Sequence, residues 1–67
     1  MDRDIIVRFF QLTFSQKHEI AKRLGLYKKE DVNLSDFIRF KQVVLRAARL
    51  SLDQELSHAI SLMKREK

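Results

Sequence analysis

The chain has 67 residues, no cysteine and a formal net charge of +5. This length predicts one small domain, which buries only about 60% of the surface that its unfolded chain exposes. The absence of cysteine excludes disulfides and thiolate zinc sites, and it fits a reducing cytoplasm. No signal peptide or apolar run of about 20 residues is recognisable, so no membrane span is expected. The positive charge favours an acidic partner: nucleic acid, an anionic membrane surface or an acidic protein.

The first helix is predicted over Met1–Leu12. Asp2 and Asp4 lie near its start, where the helix dipole favours negative charge. The triplet Ile5–Val7 is also typical of a short strand, but no later segment offers a strand to pair with it. We therefore expect a helix at this position.

The second helix is predicted to begin at Thr13 or Ser15. Thr13 and Gln16 have the spacing of a capping box, in which each side chain bonds the backbone N–H of the other residue. Gly25 is expected to end this helix in the left-handed conformation, with Leu26 packing back onto it. The polar segment 27–33 is predicted to be a loop with at most one helical turn.

The third helix is predicted over Asp36–Arg49, with Asn33 or Ser35 as its N-cap. Its apolar residues recur every three or four positions on one face, which is expected to form a wall of the core: Phe37, Phe40, Val44, Ala47 and Ala48. The polar positions recur in the same way on the opposite side and predict a solvated basic stripe: Arg39, Gln42, Arg46 and Arg49.

The fourth helix is predicted within Leu50–Lys67. Ser51 and Gln54 have the spacing of a second capping box. No glycine or proline separates it from the third helix, so the sequence allows either two helices or one bent helix.

These elements predict an all-α fold, a single compact bundle of four or five short helices spanning residues 1–67. The predicted core consists of Ile6, Phe9, Phe10, Leu12, Phe14, Ile20, Ala21, Leu24, Leu26, Phe37, Phe40, Val44, Ala47, Leu52, Leu56, Ile60 and Met63.

Catalytic and cofactor sites are not indicated. His18 and His58 are far apart in sequence, and neither has a second ligand at a metal-binding offset. Both are interpreted as solvent-facing or partly packed side chains. The single glycine excludes a phosphate-binding glycine loop. We therefore expect neither an enzyme nor a bound metal or cofactor.

Two binding functions remain. The segment Glu19–Leu26 is similar to the first helix and turn of a helix-turn-helix unit, with Ala21 on the packed face and Gly25 in the turn. That similarity makes a nucleic-acid-binding regulator the alternative function. However, the eight residues after Leu26 are too many for the tight turn of such a unit.

Charged patches favour a protein partner. Two basic groups are candidate partner-binding residues: Arg39, Arg46 and Arg49, and Lys22, Arg23, Lys28 and Lys29. Glu30 and Asp31 form an adjacent acidic patch, which predicts head-to-tail association between copies as one option. Charge reversal at Arg39 and Arg46 is expected to weaken partner binding without unfolding the domain.

Four segments in order carry a family resemblance. They are a first helix with an aromatic residue and Leu12, IAKRLGL at Ile20–Leu26, KKEDVNLSDFIRFKQVVLRA at Lys28–Ala47 and LDQELSHAI at Leu52–Ile60. The chain resembles the small effector-associated, death-like adaptor domains of bacterial conflict and antiphage systems. It departs from them between the last two helices, where Arg49-Leu50-Ser51 stands in place of a glycine-containing turn.

The resemblance implies a non-enzymatic adaptor. Its partner would be a protein carrying a similar small helical domain, or a second copy of the chain itself. Such pairing would bring an effector to its sensor. The effector would be a protease, a nuclease or an NTPase. No small-molecule substrate is implied.

Overall fold

The computed structural model describes residues 1–65. Four α-helices follow one another: α1 (Arg3–Phe10), α2 (Phe14–Arg23), α3 (Asp36–Arg49) and α4 (Asp53–Arg65). A 3-10 helix, Lys29–Asn33, lies between α2 and α3. Within this part of the chain there is no strand, so the all-α bundle is confirmed. The predicted continuation of the fourth helix to Lys67 includes two residues outside the described range.

Side-chain caps fix the starts of the first two helices. Asp2 Oδ1 accepts the backbone N–H of Asp4 at 3.0 Å. Thr13 Oγ1 accepts the N–H of Gln16 at 3.2 Å, and the Gln16 side chain accepts the N–H of Thr13 at 3.0 Å. The capping box is therefore confirmed with Thr13, rather than Ser15, as the N-cap.

Two helix ends share one backbone arrangement. Gly25 has φ of 68°, and the following N–H, that of Leu26, donates to the Ala21 carbonyl at 2.9 Å. Ser51 has φ of 58°, and the N–H of Leu52 donates in the same way to the Ala47 carbonyl at 2.8 Å. Both are Schellman ends, and the second one uses a serine where glycine is the usual residue.

Ser51 therefore has a different role from the predicted one. It lies in the turn that ends α3, whereas α4 begins at Asp53, so the predicted capping box of Ser51 with Gln54 is wrong. The chain leaves the helical conformation at this turn, so α3 and α4 are two separate helices. A left-handed non-glycine residue costs about 1–2 kcal/mol, and the backbone bonds of the Schellman end offset part of that cost.

The helices enclose one apolar core. Phe9 and Phe40 are its largest fully buried side chains, and their rings meet edge to face with centroids 6.1 Å apart. The buried apolar residues are Ile5, Phe9, Leu12, Ile20, Ala21, Leu26, Phe40, Val43, Val44, Ala47, Leu56, Ala59, Ile60 and Met63.

Most of the predicted core is confirmed, but two aromatic residues lie outside it. Phe14 and Phe37 are 46% and 65% exposed. Helix α3 is rotated so that Val43, absent from the predicted core, is fully buried and Phe37 lies at the surface. Four further predicted core residues are only partly buried and pack against the core: Ile6, Phe10, Leu24 and Leu52.

Candidate functional site

One side of α3 carries an internal ion pair. The Asp31 carboxylate is 1% exposed and accepts from both terminal nitrogens of Arg46, with Nη2 at 3.1 Å from Oδ1. Arg46 Nη1 also donates to the Leu26 carbonyl at 2.9 Å. The backbone N–H of Lys28 donates to Asp31 Oδ2 at 2.9 Å. These bonds join α3 to the end of α2 and to the 3-10 helix.

The environment keeps this pair ionised. The hydrogen bond from Arg46 lowers the pKa of Asp31, burial opposes that change, and the Lys28 N–H lowers the pKa further. The same hydrogen bond raises the pKa of Arg46. A buried carboxylate needs such partners, because desolvation alone favours its neutral form.

Arg39 lies on the same side of α3 and binds backbone carbonyls. Its Nε donates to the Asp31 carbonyl at 3.2 Å, and Nη2 donates to the carbonyls of Leu34 at 3.2 Å and Val32 at 3.3 Å. Arg39 thereby bonds the carbonyls of Val32 and Leu34 at the end of the 3-10 helix, and it shares the Asp31 carbonyl with the backbone N–H of Leu34, which donates at 3.0 Å. We call Asp31, Arg39 and Arg46 the internal arginine cluster.

The internal arginine cluster corrects the predicted basic stripe and acidic patch. Arg39 and Arg46 are bonded to backbone and to Asp31, so they do not form a solvated surface. Asp31 is buried and does not share an exposed acidic patch with Glu30. The cause is the segment 27–35, which folds against this side of α3. Charge reversal at Arg39 and Arg46 is consequently expected to destabilise the fold, contrary to the sequence-based prediction.

The other predicted charged residues lie at the surface. Lys22, Lys28, Lys29 and Glu30 are exposed. Arg23 is also exposed and pairs with Glu19 at 3.2 Å on the same helix. An ion pair with this exposure contributes little to stability.

A shallow open pocket lies where α2 and α3 end. Its volume is about 200 Å³. Its lining residues are Gly25, Leu26, Lys28, Arg46, Arg49 and Leu50. Arg49, the third arginine of the predicted stripe, is exposed at its rim, and Leu50 is 61% exposed. The structure thus brings Lys28 and Arg49 to one pocket, which Arg46 of the internal arginine cluster also lines.

The opposite side of α3 exposes apolar residues. Phe37 is 65% exposed, and Ile38 and Leu45 are each 46% exposed. Helical spacing puts these three residues and the exposed Lys41 within one arc of about 100°. We call Phe37, Ile38, Lys41 and Leu45 the outer face of α3. It is apolar surface that the fold leaves uncovered.

Aromatic and basic side chains border this face. The Phe37 ring lies 5.7 Å from that of Phe10, measured between centroids. Lys17 Nζ lies 5.5 Å from the centroid of Phe10 and 4.9 Å from that of Phe40. Its ammonium group therefore interacts with aromatic rings while lying next to the outer face.

His18 packs against aromatic side chains, whereas His58 is exposed. The His18 ring stacks on Phe14 with centroids 5.9 Å apart and meets Tyr27 edge to face at 4.8 Å. His58 is exposed on α4. Among residues 1–65, no group of three or more His, Cys, Asp or Glu side chains is placed to hold a metal ion. None of the helices described has the length and apolarity to cross a bilayer.

The geometry also differs from a helix-turn-helix unit. Helix α2 ends at Arg23 and α3 begins at Asp36, with the 3-10 helix in between. A tight turn of three or four residues is therefore absent between these two helices.

Helical spacing predicts Phe37 in the core and does not single out Ile38 or Leu45, so the outer face is not predicted from the sequence. A signal was present. Helix α3 has more apolar positions than one buried arc can hold, and the surplus falls at positions 37, 38 and 45.

The family model of the GTPase-associated adaptor domain matches residues 1–62. No curated protein matches the chain significantly, and neither does any solved structure. The matched region includes all of α1, α2 and α3 and most of α4. The chain therefore belongs to the GTPase-associated adaptor domain family.

Proposed function

We propose that this domain is a non-enzymatic adaptor that binds a protein carrying a similar small helical domain and so brings an effector to its sensor. Membership of an adaptor family supports the general role. The observation that carries the proposal is the outer face of α3, because exposed apolar side chains on one face are typical of protein interaction sites.

We also propose a kind of partner protein and a cellular role for the domain. The family description supports a partner among GTPase-associated proteins. The resemblance to death-like, effector-associated domains supports a role in a bacterial antiphage system, with the domain in the cytoplasm. A second copy of the chain is the alternative partner.

Charged residues at the surface contribute to partner choice in this proposal. Lys22, Lys28, Lys29 and Arg49 supply positive charge, and Glu30 supplies an adjacent negative charge. Exposed charges of this kind affect association rate and specificity more than affinity. The internal arginine cluster is not part of the proposed interface because its groups are bonded within the domain.

A pairwise two-hybrid assay tests the proposal. The chain is paired with itself, with small helical domains and with GTPase-associated proteins encoded in neighbouring genes. We expect binding to at least one of them. Absence of binding to any of these proteins would contradict the adaptor function.

Fluorescence anisotropy with labelled duplex DNA at two salt concentrations tests the alternative function, nucleic-acid binding. We expect no binding at physiological salt. Binding that weakens steeply as salt rises would instead support the nucleic-acid-binding alternative, since release of counterions causes that dependence.

A further inference from the structure

We propose that the outer face of α3 binds an amphipathic helix of a partner protein whose apolar stripe is bordered by acidic residues. The inference rests on the proposed adaptor function and names the surface and the chemistry of its occupant.

The shape of the outer face fits a helix. Ile38 and Leu45 are seven residues apart, two helical turns, and each is 46% exposed. Phe37 extends the apolar surface toward Phe10, whose ring is 5.7 Å away. A helix bound in this manner inserts apolar side chains at positions three, four and seven residues apart. Aromatic residues, phenylalanine among them, are enriched in the cores of protein interfaces.

The positive charges around the outer face favour acidic residues on the partner helix. Lys41 lies within the outer face, Arg49 follows Leu45 by one turn, and Lys17 lies beside Phe10. Helix α3 has no acidic residue after Asp36. Asp36 lies 3.7 Å from Arg39 Nη1, on the side of the internal arginine cluster. Acidic residues bordering the partner's apolar stripe would therefore meet only cations from α3.

A symmetric pair of copies of the chain fits this surface poorly. In a symmetric dimer each outer face would cover its own counterpart. Such an arrangement brings Lys41 toward the partner's identical lysine, and like charges brought together in an interface are unfavourable. The occupant we infer is therefore a different surface, with apolar and acidic side chains.

Peptide titration tests this inference on the whole chain. The 15N-labelled protein is titrated with a synthetic amphipathic helix that carries leucine on one face and glutamate at the borders. A matched peptide has lysine in place of glutamate. We expect amide shift changes centred on residues 37–45 and an affinity at least about tenfold higher for the glutamate peptide.

Two variants with similar exposure make the test specific. Leu45→Ser is expected to weaken binding of the glutamate peptide about tenfold. Val32→Ser is expected to leave it unchanged. Val32 is 56% exposed, but it lies on the 3-10 helix, at the side of α3 that carries Arg39. Equal losses in the two variants, or shift changes away from residues 37–45, would overturn the inference.

Analytical ultracentrifugation tests whether a second copy of the chain binds the outer face instead of a different protein. The unlabelled chain is expected to stay monomeric as its concentration increases. A dimer that Leu45→Ser abolishes would overturn the inference in favour of a second copy. If the two-hybrid assay detects a partner but the glutamate peptide does not bind, the inference fails and the adaptor function stands. If the peptide binds and the two-hybrid assay detects no partner, the adaptor function fails, whereas the outer face of α3 is upheld as a binding site for an amphipathic helix.

Discussion

The two sides of α3 contrast in where they place charge and apolar surface. The internal arginine cluster puts charged groups against the body of the domain, where they bond to each other and to backbone carbonyls. The outer face puts phenylalanine, isoleucine and leucine at the surface. The charged side is bonded within the domain, whereas the apolar side is exposed. Residue type alone therefore predicts the reverse of the observed arrangement.

The largest expected effect concerns the core beneath both sides. Phe40→Ala removes a fully buried ring that touches Phe9 and Phe14. We expect a loss of about 3–5 kcal/mol in the free energy of unfolding, measured by urea denaturation. Phe37→Ala is the matched control, one turn away on the exposed side, and should cost about 1 kcal/mol or less. Equal losses would contradict the distinction between the buried and outer sides of α3.

Breaking the buried ion pair should be the next largest effect. Asp31→Ala leaves the Arg46 guanidinium without its carboxylate, and we expect a loss of about 2–4 kcal/mol in the free energy of unfolding. Glu30→Ala changes the adjacent, exposed carboxylate and should alter stability by about 0.5 kcal/mol or less. Thermal denaturation of both variants gives the comparison. A small effect of Asp31→Ala would mean that the pair is solvated.

The same pair predicts a dependence on pH. Arg46 lowers the pKa of Asp31 in the folded state below the carboxyl's ordinary value of 3.8. The unfolded state then binds more protons, so the contribution to stability is complete above that value and is lost as pH falls below it. Denaturation midpoints between about pH 5 and 2 should fall less steeply in Asp31→Asn than in the wild type. Parallel curves would show that Asp31 does not cause the acid sensitivity.

Arg39 should have an intermediate effect. Arg39→Met removes three hydrogen bonds to carbonyls around the 3-10 helix but keeps an unbranched apolar stem. We expect a loss of about 1–2 kcal/mol, with faster amide hydrogen exchange in residues 29–34. Lys41→Met, on the outer face, should leave that exchange unchanged. Similar exchange in both variants would mean that Arg39 does not hold the 3-10 helix.

The smallest expected effect lies on the outer face. Leu45→Ser should change the free energy of unfolding by about 0.5 kcal/mol or less, because the side chain is already 46% exposed. Differential scanning calorimetry measures the change. A loss above about 2 kcal/mol would show that Leu45 belongs to the core and not to a binding surface.

Local signals in the sequence were sufficient for much of the fold. Thr13 with Gln16 and the glycine at position 25 indicate helix ends through contacts within a few residues, and the structure confirms both. The turn at Ser51 was not predicted because serine there has the spacing of an N-cap, whereas the backbone bonds of α3 determine its conformation.

The candidate site was harder to predict because it depends on contacts between distant residues. Arg46 and Asp31 are fifteen residues apart, and their pairing requires the 3-10 helix to fold back onto α3. Helical periodicity places Arg46 on a polar face but does not tell what covers that face. Helical spacing alone favours a core position for Phe37, because it does not fix the rotation of α3 about its axis.

The buried pair also limits how the domain can change during evolution. Positions 31 and 46 contribute to stability as a unit, so substitutions at the two sites are not additive. An apolar pair of similar volume is often as stable as a buried ion pair, yet each single step toward it leaves one charge uncompensated. The arginine also bonds the Leu26 carbonyl, which exchanging the two residues would not preserve. Selection is therefore expected to retain this pair, while the exposed residues of the outer face are able to diverge one at a time.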